Sequence, residues 1–149
     1  MNEINLNYLK LKTFTEQNAS DYCQINNINS NDIKTLVLNN NELTDISGIK
    51  IFKNLEKLNL AYNKINNISD IENLINLKVL YLNSNPLNDI SVIKNLNNLK
   101  YLNIDNLELG LDQIKYINSI KNLEELFCYK GFKDMTVINQ LNKNIEIIK

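Results

Sequence analysis

An asparagine followed by a branched aliphatic residue recurs along this chain at a nearly fixed interval. Asn54-Leu55, Asn76-Leu77, Asn98-Leu99, Asn122-Leu123 and Asn144-Ile145 are separated by steps of 22, 22, 24 and 22 residues. A period of this size constrains the fold more than any single predicted element, because it implies one supersecondary unit stacked on copies of itself. Each start opens the same frame: Leu55, Leu58, Leu60, Asn63, Ile65, Ile68, Ile71 and Leu74, then Leu77, Leu80, Leu82, Asn85, Leu87, Ile90, Ile93 and Leu96. One step earlier the frame runs through Ile33, Leu36, Leu38, Asn41, Leu43, Ile46, Ile49 and Phe52.

The spacings within a copy predict its local structure. Leu58 and Leu60 stand two apart, as do Leu80 and Leu82, so each pair faces one side of a short strand while the residue between faces the other. After the asparagine the interval becomes three (Ile65, Ile68, Ile71, Leu74), which suits a bend followed by helix or 3₁₀ turns. One copy cannot cover its own apolar side. Stacking buries seven or eight aliphatics per copy, at roughly 1.5 to 3 kcal/mol for each buried side chain.

The L-x-x-L-x-L-x-x-N frame at constant period resembles the leucine-rich repeat family, in the 22-residue class of bacterial internalin-like proteins and of a eukaryotic phosphatase-regulatory protein. The resemblance covers about residues 33 to 149. It implies an α/β right-handed solenoid with parallel strands on the concave face, short helical or 3₁₀ segments on the convex face and a helical N-terminal cap. The chain then divides, within one domain, into a cap at 1–32, five repeats at 33–144 and a terminal strand at 145–149 carrying Ile145, Ile147 and Ile148. Residues 1 to 32 do not fit the repeat, and Thr13 with Glu16 has the spacing of a capping box ahead of a helix.

Local signals mark the bends. Ser47, Ser69, Ser91 and Thr136 hold equal phase and are expected as helix starts, with Ser69 and Glu72 spaced as a capping box. Asn41, Asn63 and Asn85 fall where the chain leaves the strand, so their amides are expected to satisfy backbone groups that the turn strands. Two copies depart from the frame. Residues 105–112 carry an insertion, and Gly131 stands where asparagine is expected.

In such a stack the residues alternating with the core leucines line the concave sheet, about 4.8 Å apart from copy to copy. They are Thr35, Lys57, Val79, Tyr101 and Glu125, then Val37, Asn59, Tyr81, Asn103 and Phe127, then Asn39, Ala61, Asn83, Asp105 and Tyr129. Tyr81, Tyr101, Phe127 and Tyr129 thus gather on neighbouring strands although the chain has only seven tyrosines and four phenylalanines. Aromatic residues are enriched in binding hot spots, and they also favour strands for packing alone. The candidate partner surface is Tyr81, Tyr101, Phe127, Tyr129 and Val79 with Lys57, Asn59, Asn103, Asp105 and Glu125 around them.

Composition narrows the chemistry. The chain of 149 residues has no histidine and no tryptophan, and all 16 of its basic residues are lysine. It therefore lacks an imidazole base and a guanidinium fork. Cys128 holds the phase of Leu60 and Leu82, so its sulfur is expected in the core, and Cys23 has no histidine to activate it. Asp105, Glu108 and Asp112 lack EF-hand spacing, and the three glycines are too scattered to cradle phosphate. No catalytic residues, metal or cofactor are expected. A formal net charge of -1 disfavours nucleic acid as the partner. The chain is expected to bind no membrane and to carry no classical signal segment. Two reduced thiols are expected, in a cytoplasmic protein or one delivered to a host cytosol. The expectation is a non-catalytic adaptor, inhibitor or effector binding a protein partner, monomeric rather than homodimeric. A self-associating structural repeat protein is the alternative, pairing through the concave patch or the last strand edge.

Overall fold

The computed structural model describes residues 2–148. Met1 and Lys149, assigned above to the cap and the terminal strand, lie outside the described residues. Seven three-residue strands form one parallel sheet in chain order: β1 (Glu3–Asn5), β2 (Thr35–Val37), β3 (Lys57–Asn59), β4 (Val79–Tyr81), β5 (Tyr101–Asn103), β6 (Glu125–Phe127) and β7 (Glu146–Ile148). The central residue of each strand pairs with its counterpart, from Ile4 through Leu36, Leu58, Leu80, Leu102 and Leu126 to Ile147. From Ile4 to Leu126 these residues are buried, as the alternation requires. Return segments are short 3₁₀ turns at Ser47–Ile51, Ser69–Ile71, Ser91–Asn95 and Met135–Gln140, with Leu111–Gln113 running into helix α2 (Ile114–Asn118).

The bends that follow β2, β3 and β4 are each tied by an asparagine. Asn63 is buried; its Oδ1 accepts the Leu43 N–H at 3.0 Å, while its Nδ2 donates to the carbonyls of Leu38 and Leu60 at 3.0 Å each. Asn85 repeats this with Ile65 N–H, Leu60 and Leu82, and Asn41 does so with Leu9 and Leu11 N–H and the carbonyls of Leu6 and Leu38. Each amide thus joins a copy to the one before it. The residue preceding each of these asparagines, Asn40, Tyr62 or Ser84, has φ between 54° and 57°, a left-handed turn that swings the amide inward. The Asn-Leu dipeptides form a second ladder on the opposite rim. Nδ2 of Asn54, Asn98 and Asn122 donates to the carbonyls of Asn31, Ile75 and Asn97 at 2.7 to 2.9 Å.

Three local expectations need correction. Ser47, Ser69 and Ser91 open the return segments as expected, but their hydroxyls do not cap them; instead Oδ1 of Asp45, Asn67 and Asp89 accepts the N–H of Ser47, Ser69 and Ser91 at 2.7 to 2.8 Å. The carboxylate or amide two residues upstream reaches the stranded N–H in an Asx turn, and no Ser69–Glu72 box forms. Helix α1 (Glu16–Ile25) starts at Thr15, boxed with Asn18, whereas Thr13 pairs across to Asp45. Residues 3–14 also follow the repeat, at an offset of 32: Ile4, Leu6, Leu11 and Phe14 take the places of Leu36, Leu38, Leu43 and Ile46, and β1 extends the sheet. Helix α1, in place of a 3₁₀ turn, lengthens this first copy and hid its period.

The insertion at 105–112 is absorbed structurally. Leu107 replaces the expected asparagine and is buried, and the buried Gln113 accepts the Ile90 N–H of the preceding copy at 3.0 Å. Helix α1 docks where residue 48 has no side chain. A Cβ on Gly48 would meet the carbonyl oxygens of Thr15 and Phe14 at 2.5 and 2.6 Å, and its N–H donates to Phe14 at 2.7 Å.

Two stability outcomes follow. Asn63→Ala strands the Leu43 N–H in the interior, while the Leu38 and Leu60 carbonyls each keep a second donor in Asn41 and Asn85, and it is expected to cost about 1 to 3 kcal/mol in urea unfolding. Asn54→Ala on the exposed rim should cost under about 1 kcal/mol. Gly48→Ala should detach the cap, read as faster amide exchange in Glu16–Ile25 ahead of global unfolding.

Candidate protein-binding face

The alternation that buries the central residue of each strand leaves its two flanking residues on the outer face of the sheet. Tyr81, Tyr101 and Phe127 lie there on β4, β5 and β6, each half-buried, and form one continuous row of rings. The Tyr81 and Tyr101 centroids are 5.2 Å apart at 49°, and those of Tyr101 and Phe127 are 4.9 Å apart at 33°. Such tilted contacts are favourable aromatic geometry. Lys57 Nζ stands 5.8 Å from the Tyr81 centroid, a cation at the N-terminal end of the row. Val79, beside Tyr101 in register, fills the strand end between Lys57 and the rings. Burial, then the charge and hydrogen bond of the Tyr81 phenol, then Glu125 and Asp105, push the Tyr101 hydroxyl up to about 12.

The other candidates divide. Glu125, half-buried on β6, lies beside Tyr101. Asn59 and Asn103 are occupied by their own turns, Oδ1 accepting the N–H of Ala61 at 3.1 Å and of Asp105 at 2.9 Å, and Asn103 is buried. Asp105 in turn accepts the Tyr129 N–H at 2.6 Å. Tyr129 is 54% exposed and stands past the end of β6 with Lys130 Nζ 5.5 Å from its ring. It flanks the row without extending the ring contacts.

One residue of this face escaped the sequence pattern. Glu146 pairs directly with Glu125 across β6 and β7. The step from Leu126 to Ile147 is one residue shorter than the repeat, and only that deletion brings Glu146 onto the outer face. Asn83, just past β4, is buried with an Oδ1 that has no hydrogen-bond partner. Asp112 Oδ2 accepts from Gln113 Nε2 at 2.6 Å. Cys128 is buried at the phase of Leu60 and Leu82, and burial also raises the Cys23 thiol pKa.

A sheet of stacked strand, bend and return units with a continuous outer face defines a leucine-rich repeat protein, and the comparisons agree. A family model for leucine-rich repeats, in two copies, matches residues 31–75. Among solved structures, the chain is similar to internalin C2 of Listeria monocytogenes (TM-score 0.77, 22% identity, 98% of this chain and 61% of that one). It is also similar to internalin InlF of the same organism (TM-score 0.70, 30% identity, 78% of this chain and 34% of that one). The functional domain of InlJ from Listeria monocytogenes, which includes a cysteine ladder, matches with TM-score 0.69, 18% identity, 99% of this chain and 31% of that one. The chain therefore spans 31 to 61% of the length of these relatives. No curated protein sequence matches it significantly.

The packing of the row has a titration signature. The native state holds the Tyr101 proton more tightly than the unfolded chain, whose tyrosine pKa is 10.0, because the folded value is about 12. That contribution to stability is complete below pH 10 and disappears as pH rises through 12. In an absorbance titration, the phenolate that develops toward pH 12 should vanish in Tyr101→Phe and shift downward in Tyr81→Phe. An unchanged curve in both variants contradicts the packed row.

Proposed function

We propose that this chain is a non-catalytic adaptor or inhibitor that holds a protein partner on its outer sheet face, centred on Tyr81, Tyr101 and Phe127 with Tyr129 at the margin. Leucine-rich repeat folds generally mediate protein–protein interaction. The observation that carries the proposal here is the ring row itself. It is partly exposed on the outer face, and the stack could be held together by smaller residues at those positions, as Thr35 and Val37 show on β2. The row is shallow. Clefts of about 280 and 530 Å³ lie elsewhere, beside Ile68 and Val92 and beneath Leu9 and Tyr22, so a flat macromolecular surface suits the row better than a small molecule. Two buried cysteines and a mixed-charge rim fit a soluble monomer in a reducing cytosol.

The open edges of β1 and β7, the latter with half-buried Ile147 and Ile148, support self-association as the second candidate. Sedimentation velocity across a concentration series separates the two: a constant monomer supports the adaptor, and a concentration-dependent dimer supports self-pairing. For partner capture, Tyr101→Ala/Phe127→Ala should weaken binding by at least about ten-fold with little change in the thermal melt. Ile75→Ala, an exposed aliphatic away from the sheet, should change neither. Equal capture by the wild type and the double variant would remove the proposal.

A further inference from the structure

The charges of the outer face are sorted. Among the strand residues that face outward, the charged ones are Glu3, Lys57, Glu125 and Glu146, and Asp105 follows β5. The lysines that precede the strands are engaged at the rim, Lys34 and Lys78 with Glu56 and Lys100 with Glu124, and Lys130 lies past the end of β6 against the Tyr129 ring. Lys57 sits at the far end, against Tyr81. The C-terminal end of the ring row is therefore acidic. Glu125 and Glu146 are directly opposite on adjacent parallel strands, and neither takes part in an ion pair among the described residues. Like charges in that relation destabilise a sheet.

We infer that the occupant of this face is an extended basic segment of a partner protein. Its apolar side chain covers the rings, and a Lys or Arg lies over the Phe127 end between Glu125 and Glu146. This rests on the binding face proposed above and names the chemistry of what binds there. From β3 to β7 the face spans about 19 Å, the reach of roughly six extended residues. Basic residues belong at one end of that segment, because Lys57 repels them at the other. A guanidinium or ammonium at the acidic end gains both carboxylates and the face of an aromatic ring while relieving the repulsion of the glutamates. An anionic partner such as nucleic acid meets the wrong sign there.

The probe is a phage-displayed library of random linear peptides selected on the full chain, followed by binding of the synthetic consensus peptide. The expected consensus carries Lys or Arg beside an apolar or aromatic residue. Its affinity should fall about five-fold or more in Glu125→Gln/Glu146→Gln, and its dependence on salt should flatten. The melting temperature of that variant should hold or rise, since a repulsion has been removed. Loss of binding without loss of stability separates recognition from folding. Peptides that require Tyr101 and Phe127 but carry no basic excess, or bind the glutamine variant equally, overturn this inference and leave the binding face intact. Peptides indifferent to Tyr101→Ala/Phe127→Ala, or no selected peptide at all, overturn both. A dimer dissolved by Glu125→Gln/Glu146→Gln makes a second copy the occupant and overturns the basic segment.

Discussion

The stack depends on a buried side-chain amide at the points where β2, β3 and β4 end. A bend that sharp leaves N–H and carbonyl groups inside the fold, and leaving them unpaired would cost more than the burial of a leucine returns. Asparagine is short enough to reach its own Leu60 carbonyl, the previous copy's Leu38 carbonyl and the Leu43 N–H together, as Asn63 does. Its bonds run between copies as well as within them. The same residue that lets a copy turn therefore sets the distance to its neighbour, and the strand spacing and the alignment of the outer face follow.

That alignment is what makes the outer face usable. Because every central strand residue is claimed by the core, the flanking residues are released from packing and can be chosen for recognition. The row of Tyr81, Tyr101 and Phe127 is regular because the backbone beneath it is regular. The Glu125 and Glu146 pair is the clearest case of a side-chain choice that packing does not favour. A face that sets two glutamates side by side next to partly exposed rings is easier to explain by what it meets than by what it stabilises.

Most of this architecture was legible from spacing alone, since the two-then-three rhythm of Leu58, Leu60, Ile65 and Ile68 can only be a strand and a return. The ring row was legible for the same reason: phase assigns each residue to a side. Where phase broke, the sequence misled. Ile4, Leu6, Leu11 and Phe14 form a genuine first copy, but helix α1 lengthens it to 32 residues and removes the periodic signal. The missing residue before Ile147 concealed the place of Glu146. Capping misled for a different reason. Asp45 and Ser47 both carry a short oxygen-bearing side chain at the start of the return segment, and only the turn geometry shows that the Asp45 carboxylate accepts the Ser47 N–H. Asn59 and Asn103 were judged by the side they face, while their oxygens had local uses.

Amide hydrogen exchange at Leu43 and Ile65 tests the asparagine ladder most directly, because those N–H groups are held by side chains rather than by the sheet. The account predicts protection equal to that of the strand amides of Leu60 and Leu82, lost only on global unfolding. Exchange at Leu43 and Ile65 as fast as in the exposed turn at Asn66 and Asn67 would contradict it, and the ordered face would then need another cause.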